Sequence, residues 1–127
     1  MRTARSILFA SVIAAFAIGA SPTVKAEIRL APPPAFAQCA ACHATTPGRT
    51  SFGPNLVGVG GRRAARVAGY AYSEPLRKAG ITWDAATLDR WLTSPQRTVP
   101  GTRMPFGGMA DRAARKAVID YLMTLKP

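Results

Sequence analysis

Two thiols and an imidazole stand together in Cys39-Ala40-Ala41-Cys42-His43. Thiols at this spacing can close a disulfide, hold a metal, or form thioether bonds to a porphyrin. A His directly after the second thiol is the pattern of c-type haem attachment. On a helix, Cys39 and Cys42 lie three apart and Cys39 and His43 four apart, so all three share one face. That face is what the chemistry needs, because two thioether bonds and one iron bond must converge on one side of a flat ring. The rival uses ask for more than the chain offers. Zinc wants four ligands of Cys, His or carboxylate type, and no second pair is present. A thioredoxin-like pair needs a strand-to-helix context, and Val, Ile and Thr are not gathered into alternating strands. A plain disulfide suits an oxidising compartment but gives His43 no part.

His43 is the only His in 127 residues. An electron-transferring haem iron wants two axial ligands, so the second must come from Met, Cys, Tyr, Lys or water. Both Cys are consumed by attachment. The Met thioether is soft and uncharged at every pH, and pairing it with His favours the ferrous state and raises the reduction potential. Of the four Met residues, Met1 leaves with the leader described below, and Met123 reads as core or surface filler beside Leu122. Met104 is the first choice. It sits in Val99-Pro100-Gly101-Thr102-Arg103-Met104-Pro105, where prolines on both sides fix its direction. Met109 is the second.

The elements that must position these residues are helices and long loops. Pro34 suits the first position of a short helix, where its missing N–H is harmless; that helix runs to about Ala41 and carries the thiols. Residues 44–69 read as irregular, with turn signals at Pro47-Gly48, Gly53-Pro54 and Gly58 to Gly61. So long a loop is unusual unless it wraps something, and a cofactor fits. Ser73 is placed to N-cap a short helix to about Ala79, stopped by Gly80. Thr82 is placed to N-cap a second, from Trp83 to about Thr93, which Pro95 ends. Its apolar stripe is Leu88, Trp91 and Leu92. Ser94 to Gly108 is rich in Pro and Gly and reads as an ordered, non-helical loop across the open face of the cofactor. The last helix spans about Asp111 to Leu125, with Asp111 as cap and Ala114, Val118, Tyr121, Leu122 and Leu125 at helical spacing.

Ahead of all this stands an export-type leader. Arg2 and Arg5 precede an uncharged apolar run from Ile7 to Ala20, and Val24-Lys25-Ala26 precedes a cut after Ala26. The run is shorter than the roughly 20 apolar residues of a spanning helix, although an uncleaved tether is the alternative. Cleavage of 1–26 leaves one domain, 27–127. It removes Arg2, Arg5 and Lys25 and no acid, so the formal net charge falls from +11 to +8. Such a surface steers acidic partners. Anionic lipid headgroups offer a weaker, transient surface. Nucleic acid is not expected: no helix gathers Lys and Arg on one face beside stacking aromatics.

From Phe36 to the end the chain resembles the class I cytochromes c, mitochondrial and bacterial periplasmic. Gly53-Pro54-Asn55-Leu56, Gly61-Arg62, Gly69-Tyr70-Ala71-Tyr72-Ser73, Gly80-Ile81-Thr82-Trp83 and Pro100-Gly101-Thr102-Arg103-Met104 follow the attachment motif in the family's order. The resemblance implies an all-α fold, with three to four short helices and long loops wrapped around one haem c held through Cys39 and Cys42. It implies His43 and Met104 as axial ligands, with a hydrogen bond from the proximal His to the Pro54 carbonyl. It implies that Arg62, Tyr72 and Trp83 hold a haem propionate, and that Thr102 belongs to the cofactor site. Two departures from the family pattern stand out. Trp91 occupies the place of a Tyr near the Met ligand, and Leu76 that of a polar pocket residue. The first helix is also short, with Phe36 expected to pack against Tyr121.

The leading function is a periplasmic, monomeric one-electron carrier rather than an enzyme. Acidic redox proteins would dock at the haem edge, with Arg49, Arg97 and Arg103 as a basic rim. A haem subunit of a larger periplasmic oxidoreductase, sulfur-oxidising or dehydrogenase, is the alternative. A peroxidase-like enzyme would need an open iron position and a distal acid–base residue, and no second His exists for it.

Overall fold

A computed structural model of the protein describes residues 29–127. The predicted leader, 1–26, lies outside them. Pro34 opens a 3-10 turn, Pro34–Phe36, that runs straight into α1, Ala37–Ala40. Four more helices follow: α2, Glu74–Lys78; α3, Ala85–Thr93; α4, Pro95–Thr98; and α5, Arg112–Met123. The described residues form no strand, and the all-α expectation holds. The core is where α3, α5 and the first turn meet. Val118 and Leu125 are fully buried there. Phe36 meets Tyr121 edge-on, with ring centroids 4.8 Å apart, so one aromatic contact compensates for the shortness of the first helix.

Three boundaries differ from the sequence reading. Thr82 does not cap α3. It pairs with Arg63 in an isolated antiparallel bridge, with Trp83 N–H bonded to Arg62 O at 2.9 Å and Ala64 N–H to Ile81 O at 2.8 Å. That pairing holds residues 81–83 extended, so the helix starts later and Asp84 becomes its cap. Asp84 Oδ1 accepts from Thr87 N–H at 2.7 Å, and the Thr87 hydroxyl accepts from Asp84 N–H at 2.8 Å, forming a capping box. Secondly, Ser94 to Gly108 is not free of helix. Pro95 ends α3 but also starts α4, because Pro at a first helical position loses no bond and Ser94 Oγ accepts from Arg97 N–H at 3.4 Å. This makes five α-helices where three to four were expected. Thirdly, α5 stops at Met123, although Leu125 beyond it stays buried.

The chain from α4 to α5 is pinned at its return. Gly108 has φ +104°, and a Cβ there would lie 2.1 Å from Thr93 O, so only glycine lets the loop close against the end of α3. Arg115 is the one charged side chain buried among the described residues. Its Nε donates to Asp89 Oδ1 on α3 at 2.7 Å, and one terminal nitrogen donates to Met109 O at 2.8 Å.

Hydrogen bonds from the Thr87 N–H and hydroxyl hold the Asp84 carboxyl below its usual pKa. Its stabilising effect is therefore complete above the unfolded carboxylate pKa of about 4 and disappears as pH falls through the depressed folded value. Asp84→Asn should flatten the acid limb of a stability–pH curve below pH ~4, read as the urea midpoint at successive pH values. At the other long helix, Asp111 Oδ1 accepts from Ala113 and Ala114 N–H at 2.8 and 3.1 Å. Asp111→Ala should cost about 1 kcal/mol in urea unfolding.

Candidate functional site

The last turn of α1 turns its sulfur face inward. His43 N–H bonds to Cys39 O at 2.9 Å, which carries helical geometry through the motif. Cys39, Cys42 and His43 all line one cavity of about 390 Å³. The two thiols are not bridged to each other in this structure. Burial pushes the Cys39 thiol pKa up.

His43 is held in one orientation. Its Nδ1–H donates to Pro54 O at 2.7 Å, which leaves Nε2 without a partner among the described residues. Burial lowers its pKa, outweighing the opposite pull of the Pro54 carbonyl, so the ring is kept in the neutral form that can bind a metal. The ring lies so close to Gly53 that a Cβ there would be 2.6 Å from His43 Cε1. The turn is fastened by Gly53 N–H to Cys42 O at 2.7 Å. Asn55 organises the loop around it, donating to Thr46 O and Arg49 O and accepting from Val57 N–H, each at 2.8 Å.

All nine residues singled out from the sequence reach this cavity: Cys39, Cys42, His43, Pro54, Arg62, Tyr72, Trp83, Thr102 and Met104. Their polar groups are unevenly free. Arg62 directs its two terminal nitrogens to Val57 O at 2.7 Å and Asn55 O at 3.0 Å, leaving mainly its charge for the cavity. Tyr72 accepts a bond from Val67 N–H at 3.3 Å, so its own hydroxyl proton remains available. The Trp83 and Thr102 side chains are both buried on the cavity wall. Trp83 and Trp91 pack edge-on at 5.2 Å, and both line the cavity, as does apolar Leu76. The two methionine candidates part company here. Met104 is half-buried on the cavity wall, whereas Met109 is 6% exposed in the core, with its N–H on Leu92 O at 2.8 Å.

Ser73 was missed as a cavity group. It occupies the N-cap of α2, but its side chain makes no capping bond, and its buried Oγ has no partner. Ser73 lines the cavity instead. The one sequence signal was its place directly after Tyr72, in a stretch that runs along the cavity wall. Of the expected rim, exposed Arg103 lines the cavity, whereas Arg49 and Arg97 are exposed away from its wall. Phe52 lines it too and is 89% exposed.

Two unbridged thiols, a neutral imidazole aimed inward, an apolar wall and the orphaned Ser73 hydroxyl together fit a porphyrin with its two carboxylates. The cytochrome c family model matches residues 34–126. The chain belongs to the cytochrome c family. Cytochrome c2 iso-2 of Magnetospirillum fulvum is 45% identical over 93 residues, covering 73% of this chain and 97% of that protein. Cytochrome c2 of Rhodoblastus acidophilus is 44% identical over 92 residues, covering 72% and 86%. The solved structure of cytochrome cH from Methylobacterium extorquens superposes with a TM-score of 0.67 at 45% identity, covering 71% of this chain and 91% of that one. This cytochrome c carries one haem c, bound covalently through Cys39 and Cys42, and is an electron carrier of the monohaem type.

Gly53→Ala should force the His43 ring off its position. The expected result is a lower covalently loaded fraction in intact-mass spectra of protein matured alongside the wild type. Equal loading with an unchanged visible spectrum would show that the loop yields.

Proposed function

We propose that this cytochrome c is an exported, periplasmic one-electron carrier with His43 and Met104 as the axial ligands of its haem. The carrying observation is that Met104 shares one cavity with the inward-facing imidazole of His43, whereas Met109 is absent from that wall. A bound haem supplies a one-electron couple, and the chain's own residues set the conditions for it. The bond to Pro54 fixes the plane of the His43 ring and raises its basicity as a ligand. The Met104 thioether adds no charge, so it favours the reduced form. Residues on both sides of the cavity keep water away from the ring: Leu56, Val59, Leu76 and Leu92 among them.

The haem carboxylates need partners inside this apolar wall. The charge of Arg62, the free Tyr72 proton and the Trp83 indole serve one of them. Ser73 and Thr102 add hydroxyls on the same cavity. Export rests on the leader in residues 1–26. No helix among the described residues is long and apolar enough to cross a membrane. The formal charge of +8 after cleavage favours acidic redox partners, docking near exposed Arg103 and Phe52, and the protein acts as a monomer. Electrostatic steering of that kind weakens as salt shortens the Debye length.

Met104→Ala should keep the covalent haem in intact mass yet lose the weak near-infrared band of the ferric Met–iron bond, and its reduction potential should fall. Met109→Ala should keep the band. A band that survives Met104→Ala would overturn the ligand assignment. For docking, the second-order rate of electron exchange with an acidic partner protein should drop steeply between low and physiological ionic strength. A flat salt dependence would argue against the basic face.

A further inference from the structure

The segment after Met104 has no helix to hold it. From Met104 to Ala110 the backbone is irregular. Inside it, Phe106 N–H bonds back to Met104 O at 2.9 Å, which shapes the turn but anchors it to nothing else. Among the described hydrogen bonds, three fasten this stretch to the helices. Met109 N–H bonds to Leu92 O on α3 at 2.8 Å. The other two come from Arg115 on α5, whose one terminal nitrogen donates to Met109 O at 2.8 Å and Ala110 O at 3.3 Å. Its Nε donates to Asp89 Oδ1 on α3 at 2.7 Å. One guanidinium thus ties two helices and the returning loop together.

We propose that Arg115, with Asp89 as its counter-charge, is the positioning residue for the Met104 segment. It governs how readily the thioether gives way to an external ligand. This rests on the ligand assignment proposed above. The geometry explains the residue type. A planar guanidinium can direct Nε to a carboxylate and a terminal nitrogen to backbone carbonyls at once, which a point-like ammonium cannot do with the same reach. The Arg115 side chain is 9% exposed and that of Asp89 49%, so the carboxylate sits at the boundary and the cation inside. Removing Asp89's charge leaves the buried cation uncompensated. Removing the guanidinium leaves Met109 O and Ala110 O without their donor. Either change loosens the segment that carries Met104 while leaving the Phe36–Tyr121 contact and the thioether bonds untouched.

The test uses the holoprotein in its ferric form, with imidazole as the entering ligand. Uptake is followed by the shift of the main visible band and the loss of the near-infrared band. Arg115→Lys and Asp89→Asn should each speed uptake by about tenfold or more. Val118→Ala is the control, since Val118 is fully buried on the same helix and makes none of these bonds. It should lower the urea midpoint without a matching acceleration. Amide hydrogen exchange gives a second readout. The Met109 N–H should exchange faster in Arg115→Lys while amides in the middle of α5 keep their wild-type protection. Uptake no faster than in Val118→Ala, together with an unchanged Met109 amide, would overturn the proposal. Should Arg115→Lys fail to fold, Asp89→Asn alone decides on the same two readouts. Failure of the ligand assignment looks different: the wild type would then lack the near-infrared band from the start, and the Met109 amide would still report whether Arg115 holds the segment.

Discussion

Everything in the site is arranged around one hydrogen bond, from His43 Nδ1 to the carbonyl of Pro54. It connects the chain just after α1 to the Gly53-Pro54 turn of the long loop, and it makes the chain close back on its own attachment motif. Pro54 suits this task because its ring fixes φ, which limits the directions its carbonyl can take. Gly53 suits it because nothing larger fits beside the ring. With Nδ1 engaged, the imidazole has only Nε2 to present, and it can present it only inward. Orientation and loop closure are thus settled by two adjacent residues ten and eleven positions from the ring they serve, while burial keeps that ring neutral.

The interior has a second constraint. A cavity built for a flat apolar group with two charged tails must be greasy over most of its wall and polar in a few places. The structure meets this by leaving a few polar groups deliberately short of protein partners. Ser73 Oγ is buried and unbonded, and Tyr72 accepts a bond while keeping its own proton free. Unbonded buried groups are costly in an empty fold. They make sense as half of an interaction whose other half is the cofactor. Trp91 and Leu76 extend the apolar part of the wall.

Much of the site was legible in the sequence because its chemistry is local. The attachment motif, the Gly53-Pro54 turn and the Met104 segment each hold their meaning in a few consecutive residues, and all nine chosen residues meet in one cavity. The helices with strong caps and stripes were legible too. What escaped depends on contacts across long stretches. Thr82 has the right type for a cap, but pairing with Arg63 takes it away. Pro95 reads as a stop, yet its fixed φ also begins α4. Ser73 reads as a cap, and only the placement of the cavity turns its hydroxyl elsewhere. Arg115 looks like one more solvated cation on a helix, because neither Asp89 nor the Met109 carbonyl is near it in a linear reading.

Gly108 carries a consequence for how this architecture can vary. Its contact with Thr93 O means that the chain departs from the end of α3 and comes back to the same spot. The stretch between is a detour with a common entrance and exit. Lengthening or trimming that detour beyond α4 leaves α3 and α5 where they are, since its two ends are already joined. The reach and angle of the Met104 side chain, the ligand proposed above, can therefore change while the His43 side of the cavity stays put. Redox tuning and structural integrity become separately inheritable traits of one small molecule.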